Sequence, residues 1–272
     1  MKSPSGSSQN TPLYPSEPRV ALPDWKVTRV IKAGPNEKKL IEVAIWNIAW
    51  KSPRTSGGKI IQEILERRGS DIICVCETHH IDLLPGMHGI FSDPDYGYPM
   101  KAGRRKVALW APTRWEHVST DLPDAPTGRF VKGVTEIAGF GHVTVIGVCV
   151  PWEAAHVATG RNNRRRWEDH LSYLKALAAY LQSSDLNQPT ILLGDFNQTL
   201  PPDRAPKAAQ TLLRDIAKQF VVLDKSEPTD RTVCHIMLAG GLDGQPVFDL
   251  PDRIDETRLS DHRGQIASVH LR

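Results

Sequence analysis

The sequence predicts an α/β protein in which two β-rich sets of segments are each accompanied by helical patterns. Three observations carry that expectation. Short continuous apolar runs, such as residues 72–76 and 191–193, read as buried strands. Longer stretches between them carry apolar residues at helical spacing. At 272 residues the chain is long enough for one large α/β domain or two modest ones. Sheets packed face to face with helices outside fit this order, and so does a doubly wound sheet; strand count does not choose between them.

Taken in order, residues 1–24 hold Ser3, Pro4, Ser5, Gly6, Ser7 and Ser8 and further prolines with little periodicity. They are expected to form a flexible tail, leaving residues 25–272 as a single domain. The first strand is expected over residues 41–48. Gly57 and Gly58 precede an amphipathic helix with Ile60, Ile61, Ile64 and Leu65 on one face. Residues 72–76 read as a buried strand, and 107–110 as another that Pro112 interrupts. Strands over 131–137 and 142–150 are separated by the turn-like Gly139-Phe140-Gly141. A long helix is expected over about 164–181, with Trp167, Leu171, Leu174, Leu177, Ala178 and Leu181 as its core stripe. Pro189 opens the next strand. A helix over 205–220 and strands over 232–238 and 266–271 complete the reading, and no strong internal repeat is present.

Hydrophobic residues make up 40% and charged residues 24%, the ordinary soluble range. No run of eighteen apolar residues predicts a membrane-spanning helix. Residues 1–10 are polar and lack the apolar stretch of a signal peptide. Cys74, Cys76, Cys149 and Cys234 sit mostly in apolar strand-like runs. That placement suggests a reducing compartment rather than a disulfide framework, so a cytoplasmic location is expected. Cys74 and Cys76 share one face of a strand and do not have the spacing of a zinc knuckle. The net charge of +3 does not by itself announce a nucleic-acid binder. Two basic clusters stand out, Arg161, Arg164, Arg165 and Arg166, and Arg104, Arg105 and Lys106. Each alone reads as a solvated helix start or strand edge. A shared position at the rim of a site would turn both toward phosphate.

The polar residues at strand ends point to chemistry. Gly194-Asp195-Phe196-Asn197 follows Ile191-Leu192-Leu193 directly. Asn47 ends the run Val43-Ala44-Ile45-Trp46, and Glu77 ends residues 72–76. Leu259-Ser260-Asp261-His262 stands just before the last strand. In an extended chain Asp195 and Asn197 share one side and Phe196 faces the core. Four metal- or phosphate-competent sites at strand ends read as an enzyme.

In this order, Trp46-Asn47, Glu77-Thr78, Gly194-Asp195-Phe196-Asn197 and Ser260-Asp261-His262 resemble the endonuclease/exonuclease/phosphatase superfamily, over roughly residues 40–272. The resemblance implies a four-layer α/β sandwich of two packed, mostly antiparallel sheets flanked by helices, with the active site at one end. It implies a Mg²⁺- or Mn²⁺-dependent phosphoesterase that cleaves phosphodiesters by in-line attack of water. Asp195 would orient or deprotonate that water, and Asn197 and His262 would clamp the phosphate. Glu77 is the leading metal ligand, with Asn47 and Asp261 as further direct or water-mediated ligands. Nucleic acid is the expected partner. A phosphomonoesterase or lipid-headgroup phosphodiesterase acting on a small phosphoester is the alternative, as is a non-catalytic binding module with a degenerate site.

Two positions depart from the family pattern. Many relatives carry Ile-Asp-His-Ile on a strand whose Asp orients the catalytic histidine. The matching stretch is Val233-Cys234-His235-Ile236, so Cys234 stands in place of the Asp, and a thiol supports an imidazolium less well. Cys149, in Val148-Cys149-Val150-Pro151, stands where relatives place a Tyr or His as leaving-group acid or phosphate ligand. Asp255, in an acidic loop with Asp249, Asp252 and Glu256, is a candidate replacement for the missing Asp.

Overall fold

The computed structural model describes residues 39–81, 83–200, 204–223 and 232–272, so the expected tail lies outside the described residues. The architecture grows from two strand–helix–strand units. Strand β1 (Ile41–Asn47) leads through helix α1 (Ser56–Arg68) into the parallel β2 (Ile72–His79). Strand β7 (Gly141–Cys149) leads through α2 (Glu168–Gln182) into the parallel β8 (Thr190–Asp195). Parallel neighbours cannot be closed by a tight hairpin, and the crossover helices supply the return path.

Antiparallel strands extend each pair into a six-stranded sheet. The first adds β3 (His88–Phe91), β4 (Arg104–Ala111), β11 (Leu242–Leu250) and β14 (Gly264–Leu271), in the order β11-β14-β1-β2-β4-β3. The second adds β5 (Trp115–Ser119), β6 (Phe130–Ile137), β9 (Val221–Val222) and β10 (Cys234–Ala239), in the order β5-β6-β7-β8-β10-β9. Helix α3 (Lys207–Ala217) follows β8, and a small hairpin of β12 (Arg253–Ile254) and β13 (Thr257–Arg258) precedes β14.

Alternation along the strands builds three apolar layers. Val43, Ile45 and Cys74 from the first sheet meet Val145, Ile191, Leu193 and Ile236 from the second. On its outer face the first sheet sets Ala44, Trp46, Ile73 and Val75 against Ile60, Ile61, Ile64 and Leu65 of α1. The second sets Ile146, Val148 and Leu192 against Tyr173, Leu174 and Leu177 of α2 and Leu213 and Ile216 of α3. Central strands covered on both faces need apolar side chains at every position, which is why they read as unbroken runs. The result is the helix–sheet–sheet–helix sandwich, mostly antiparallel, that the sequence resemblance implied.

The structure also corrects details. The second helix starts at Glu168, not near residue 164. Arg164 Nε bonds Asp169 Oδ1 at 2.8 Å, the Arg165 amide donates to Glu168 Oε2 at 2.9 Å, and Trp167 turns left-handed at φ +70°. These contacts fold the arginine stretch back onto the helix's first turn. Strands β3, β5, β9, β11, β12 and β13 are additions to the sequence reading. In β11, Gly244 and Pro246 break the alternation, and the register shifts between Pro246 and Phe248.

Gly194 sets the distance between β7 and β8. Its φ is +157°, and a Cβ there would lie 1.9 Å from the Val148 carbonyl oxygen. That contact is backbone, so a flexible side chain cannot yield to it. Gly194→Ala is expected to lower stability by about 1–3 kcal/mol, as overpacking does. The measurement is a fall in the urea midpoint at unchanged slope; an unmoved midpoint contradicts the argument.

Candidate active site

The site begins with a buried carboxylate. Asp195 ends β8 and is only 1% exposed. Register places Cys149 of β7 beside it on one side and Cys234 of β10 on the other. Asn47, at the end of β1 in the opposite sheet, donates from Nδ2 to Asp195 Oδ2 at 2.8 Å. The Asn197 amide donates to Oδ1 at 2.8 Å. Burial pushes the Asp195 carboxyl upward, while the His262 charge and the Asn47 and Asn197 hydrogen bonds pull it down.

Asn197 reaches this position differently from the extended-chain expectation. Strand β8 ends at Asp195, and Asn197 adopts φ +50°. Its Nδ2 donates to the Val150 carbonyl at 2.9 Å, pinning the turn after β8 to the end of β7. Phe196 is fully buried, as the alternation predicted.

His262 closes the group from the loop before β14. Its Nε2 lies 3.3 Å from Cys234 Sγ and 3.8 Å from Asp195 Oδ2, while Nδ1 lies 3.0 Å from Asp261 Oδ1. Burial opposes the ring's charge, but the Asp261 and Cys234 contacts and the nearby Asp195 outweigh it and push His262 up to about 12. Bonding to His262 holds Asp261 down at about 2, against the pull of its own burial. Burial raises the Cys234 thiol, so a neutral S–H faces the imidazolium. Ser260 Oγ donates to the Asn47 carbonyl at 2.5 Å and accepts the His262 amide at 3.4 Å, fastening the loop to β1. The carboxylate on the histidine is therefore Asp261. Asp255 sits exposed at the tip of the β12–β13 hairpin with φ +47°, and it makes no bond to His262. The idea that Asp255 replaces the missing Asp is thereby corrected.

Glu77 stands one residue past the pair Asn47↔Cys76 on the neighbouring parallel strand. Its Oε1 accepts from Lys106 Nζ at 2.6 Å, in a pair whose side chains are 22% and 11% exposed. Lys106 is thus a buried partner, not part of a solvated strand edge. A lysine directly preceding the apolar run Val107–Ala111 was the available signal. Its Nζ also lies 5.0 Å from the centre of the Trp50 ring, over which Arg104 sits at 4.4 Å. Ala49, Trp50, Glu77 and Asn197 all have positive φ, so non-glycine backbone strain gathers around this site.

The donor set around Glu77 fits a hard divalent ion. Glu77 keeps one oxygen clear of Lys106, and Asn47 Oδ1, which accepts from the Ala49 amide at 2.8 Å, keeps a second lone pair. One carboxylate plus an amide oxygen and waters is an ordinary Mg²⁺ arrangement. Asp261, the third expected ligand, is directed at His262.

A model of the Endonuclease/Exonuclease/phosphatase family matches residues 44–262, and the chain belongs to that family. No curated protein matches the chain. An AP endonuclease from Archaeoglobus fulgidus is structurally similar at 20% identity and TM-score 0.60, covering 84% of this chain and 98% of that one. The catalytic domain of human Nocturnin with a bound sulfate anion is 18% identical at TM-score 0.63, with coverages of 86% and 94%. The 3′ phosphatase NExo from Neisseria, bound to a product DNA hairpin, is 18% identical at TM-score 0.57, covering 85% and 99%. At these identities the likeness is one of fold. The family membership supports a phosphoesterase.

The electrostatics generate a titration test. His262 in chelator-treated protein is expected to keep its proton through neutral pH in a ring-proton NMR titration. Asp261→Asn should bring its midpoint down toward the ordinary value of roughly 6.5. The linked stability is fully present below roughly pH 6.5 and is lost as pH rises toward about 12. A wild-type ring titrating at its ordinary midpoint contradicts the assignment.

Proposed function

We propose that the chain is a divalent-metal-dependent phosphodiesterase that acts on nucleic acid. The observation that carries this reading is the buried Asp195 carboxylate, hydrogen-bonded by Asn47 and Asn197 and facing the His262 ring. Asp195 orients the attacking water and takes its proton; burial makes it a stronger base than an exposed carboxylate. His262, held as imidazolium by Asp261, stabilises negative charge growing on the phosphoryl oxygens. Mg²⁺ or Mn²⁺, held by Glu77 with Asn47, would supply further neutralisation of the phosphate. The Asp261 contact argues against a degenerate module, because it restores a carboxylate to the histidine although Cys234 occupies the usual position.

Residues beside Glu77 and Lys106 support nucleic acid as substrate. Trp50 stacks against Tyr96 at 5.7 Å, Tyr96 lies 6.1 Å from Tyr98, and Tyr98 stacks on His156 at 4.2 Å. Arg104 sits over Trp50 at one end, and the Arg161 backbone amide bonds His156 Nδ1 at the other. These rings, with Tyr96 and His156 buried, link the chain segments that carry the two basic clusters, whose charge favours a polyanionic substrate. The AP endonuclease and the DNA-bound NExo among the similar folds point the same way. Four buried free thiols support the cytoplasmic setting proposed with it.

The test is hydrolysis of an activated diester, an activated monoester, single-stranded DNA, plasmid and RNA with Mg²⁺ or Mn²⁺. Asp195→Ala should lower turnover of the best substrate by about 10²–10⁴-fold. Calorimetric Mg²⁺ uptake should disappear in Glu77→Ala, and affinity for DNA should fall steeply with salt. Turnover insensitive to Asp195→Ala contradicts the mechanism, and cleavage confined to the monoester contradicts the nucleic-acid substrate.

A further inference from the structure

Cys234 brings to the site a donor that a carboxylate cannot imitate. Its Sγ, His262 Nε2 and an Asp195 oxygen lie within 4.8 Å of one another, with Sγ to Nε2 at 3.3 Å and Nε2 to Oδ2 at 3.8 Å. In a tetrahedral zinc site with ordinary bond lengths, neighbouring ligand atoms lie about 3.4–3.6 Å apart. The three atoms are therefore already near the corners of one face of such a site. Cys234 and Asp195 are buried, and His262 is 23% exposed, so the group opens to solvent on the histidine side.

The surroundings match what zinc ligands require beyond the first contact. A ligating imidazole donates its other N–H to a carboxylate, and His262 Nδ1 faces Asp261 Oδ1 at 3.0 Å. A ligating carboxylate is itself hydrogen-bonded, and Asp195 receives Asn47 and the Asn197 amide. Thiolate and imidazole select zinc over magnesium, whereas the oxygen donors of Glu77 and Asn47 do the reverse. Two adjoining sites of opposite preference result.

We propose that Asp195, Cys234 and His262 form a zinc-binding site, and that zinc there inhibits hydrolysis by occupying Asp195. The inhibitory step rests on the function proposed above; the metal site does not. On binding, the Cys234 S–H and the Nε2–H of the imidazolium release their protons to solvent, while the Nδ1 proton stays on the ring and is donated to Asp261. Sulfur, nitrogen and oxygen each donate a pair to the ion, no atom changes oxidation state, and a fourth position is left for water.

Cobalt(II) is the direct probe, because thiolate ligation gives a sulfur-to-cobalt charge-transfer band without any substrate. The wild-type chain is expected to take up one equivalent of Zn²⁺ or Co²⁺, with the band appearing on cobalt addition. Cys234→Ser should lose the band, while Cys149→Ser retains it. His262→Ala, which removes the imidazole from the open side of the group, should keep the band and weaken zinc binding. Absence of the band in wild type, its survival in Cys234→Ser, or zinc affinity untouched by His262→Ala overturns the site. Full-rate hydrolysis with zinc bound and the thiolate engaged overturns the inhibitory step and, with it, the role given to Asp195.

Discussion

The hydrogen bond from Asn47 to Asp195 is the contact on which the site depends. It joins the end of β1 in one sheet to the end of β8 in the other, across 148 residues of sequence. A carboxylate taken out of water raises its own free energy unless hydrogen bonds and opposite charge replace the lost solvation. Here Asn47, the Asn197 amide and the His262 charge supply that replacement. The bond therefore ties the ends of the two packed sheets together and helps hold the charge on the proposed water-orienting carboxylate.

The two strand–helix–strand units explain why chemistry collects at one end of the sandwich. Asn47, Glu77, Cys149 and Asp195 all stand at or near the carboxyl ends of the two parallel pairs. Each chain leaves its strand there into a connection free to take unusual backbone shapes. Glu77 at φ +51° and Asn197 at φ +50° show that freedom in use. Gly194 lets β8 approach β7 closely enough for Asn197 Nδ2 to reach the Val150 carbonyl. Ser260 then ties the final loop to the Asn47 carbonyl, so His262 arrives with its ring between Asp261 and Cys234.

Much of this was legible in the sequence where the signal was local. Unbroken apolar runs identified the central strands because both of their faces are covered, and polar residues at the ends of those runs marked the site. What escaped was set by pairing between distant segments. The partnership of Lys106 with Glu77 follows from the antiparallel register of β4 on β2, which no local pattern encodes. The ring row from Trp50 to His156 draws on separate loops. Asp261 as the carboxylate on His262 depends on how the loop before β14 turns, which no local pattern encodes, and Asp255 was the candidate read from the sequence. Strand β11 was hidden by a proline and a register shift within it.

The most direct measurement is the titration of the Asp195 carboxyl, followed by carbon-13 NMR in wild type and Asn47→Ala. The account predicts an Asp195 midpoint that moves to higher pH in the variant, because burial then acts against fewer hydrogen bonds. Identical midpoints in the two proteins would contradict it.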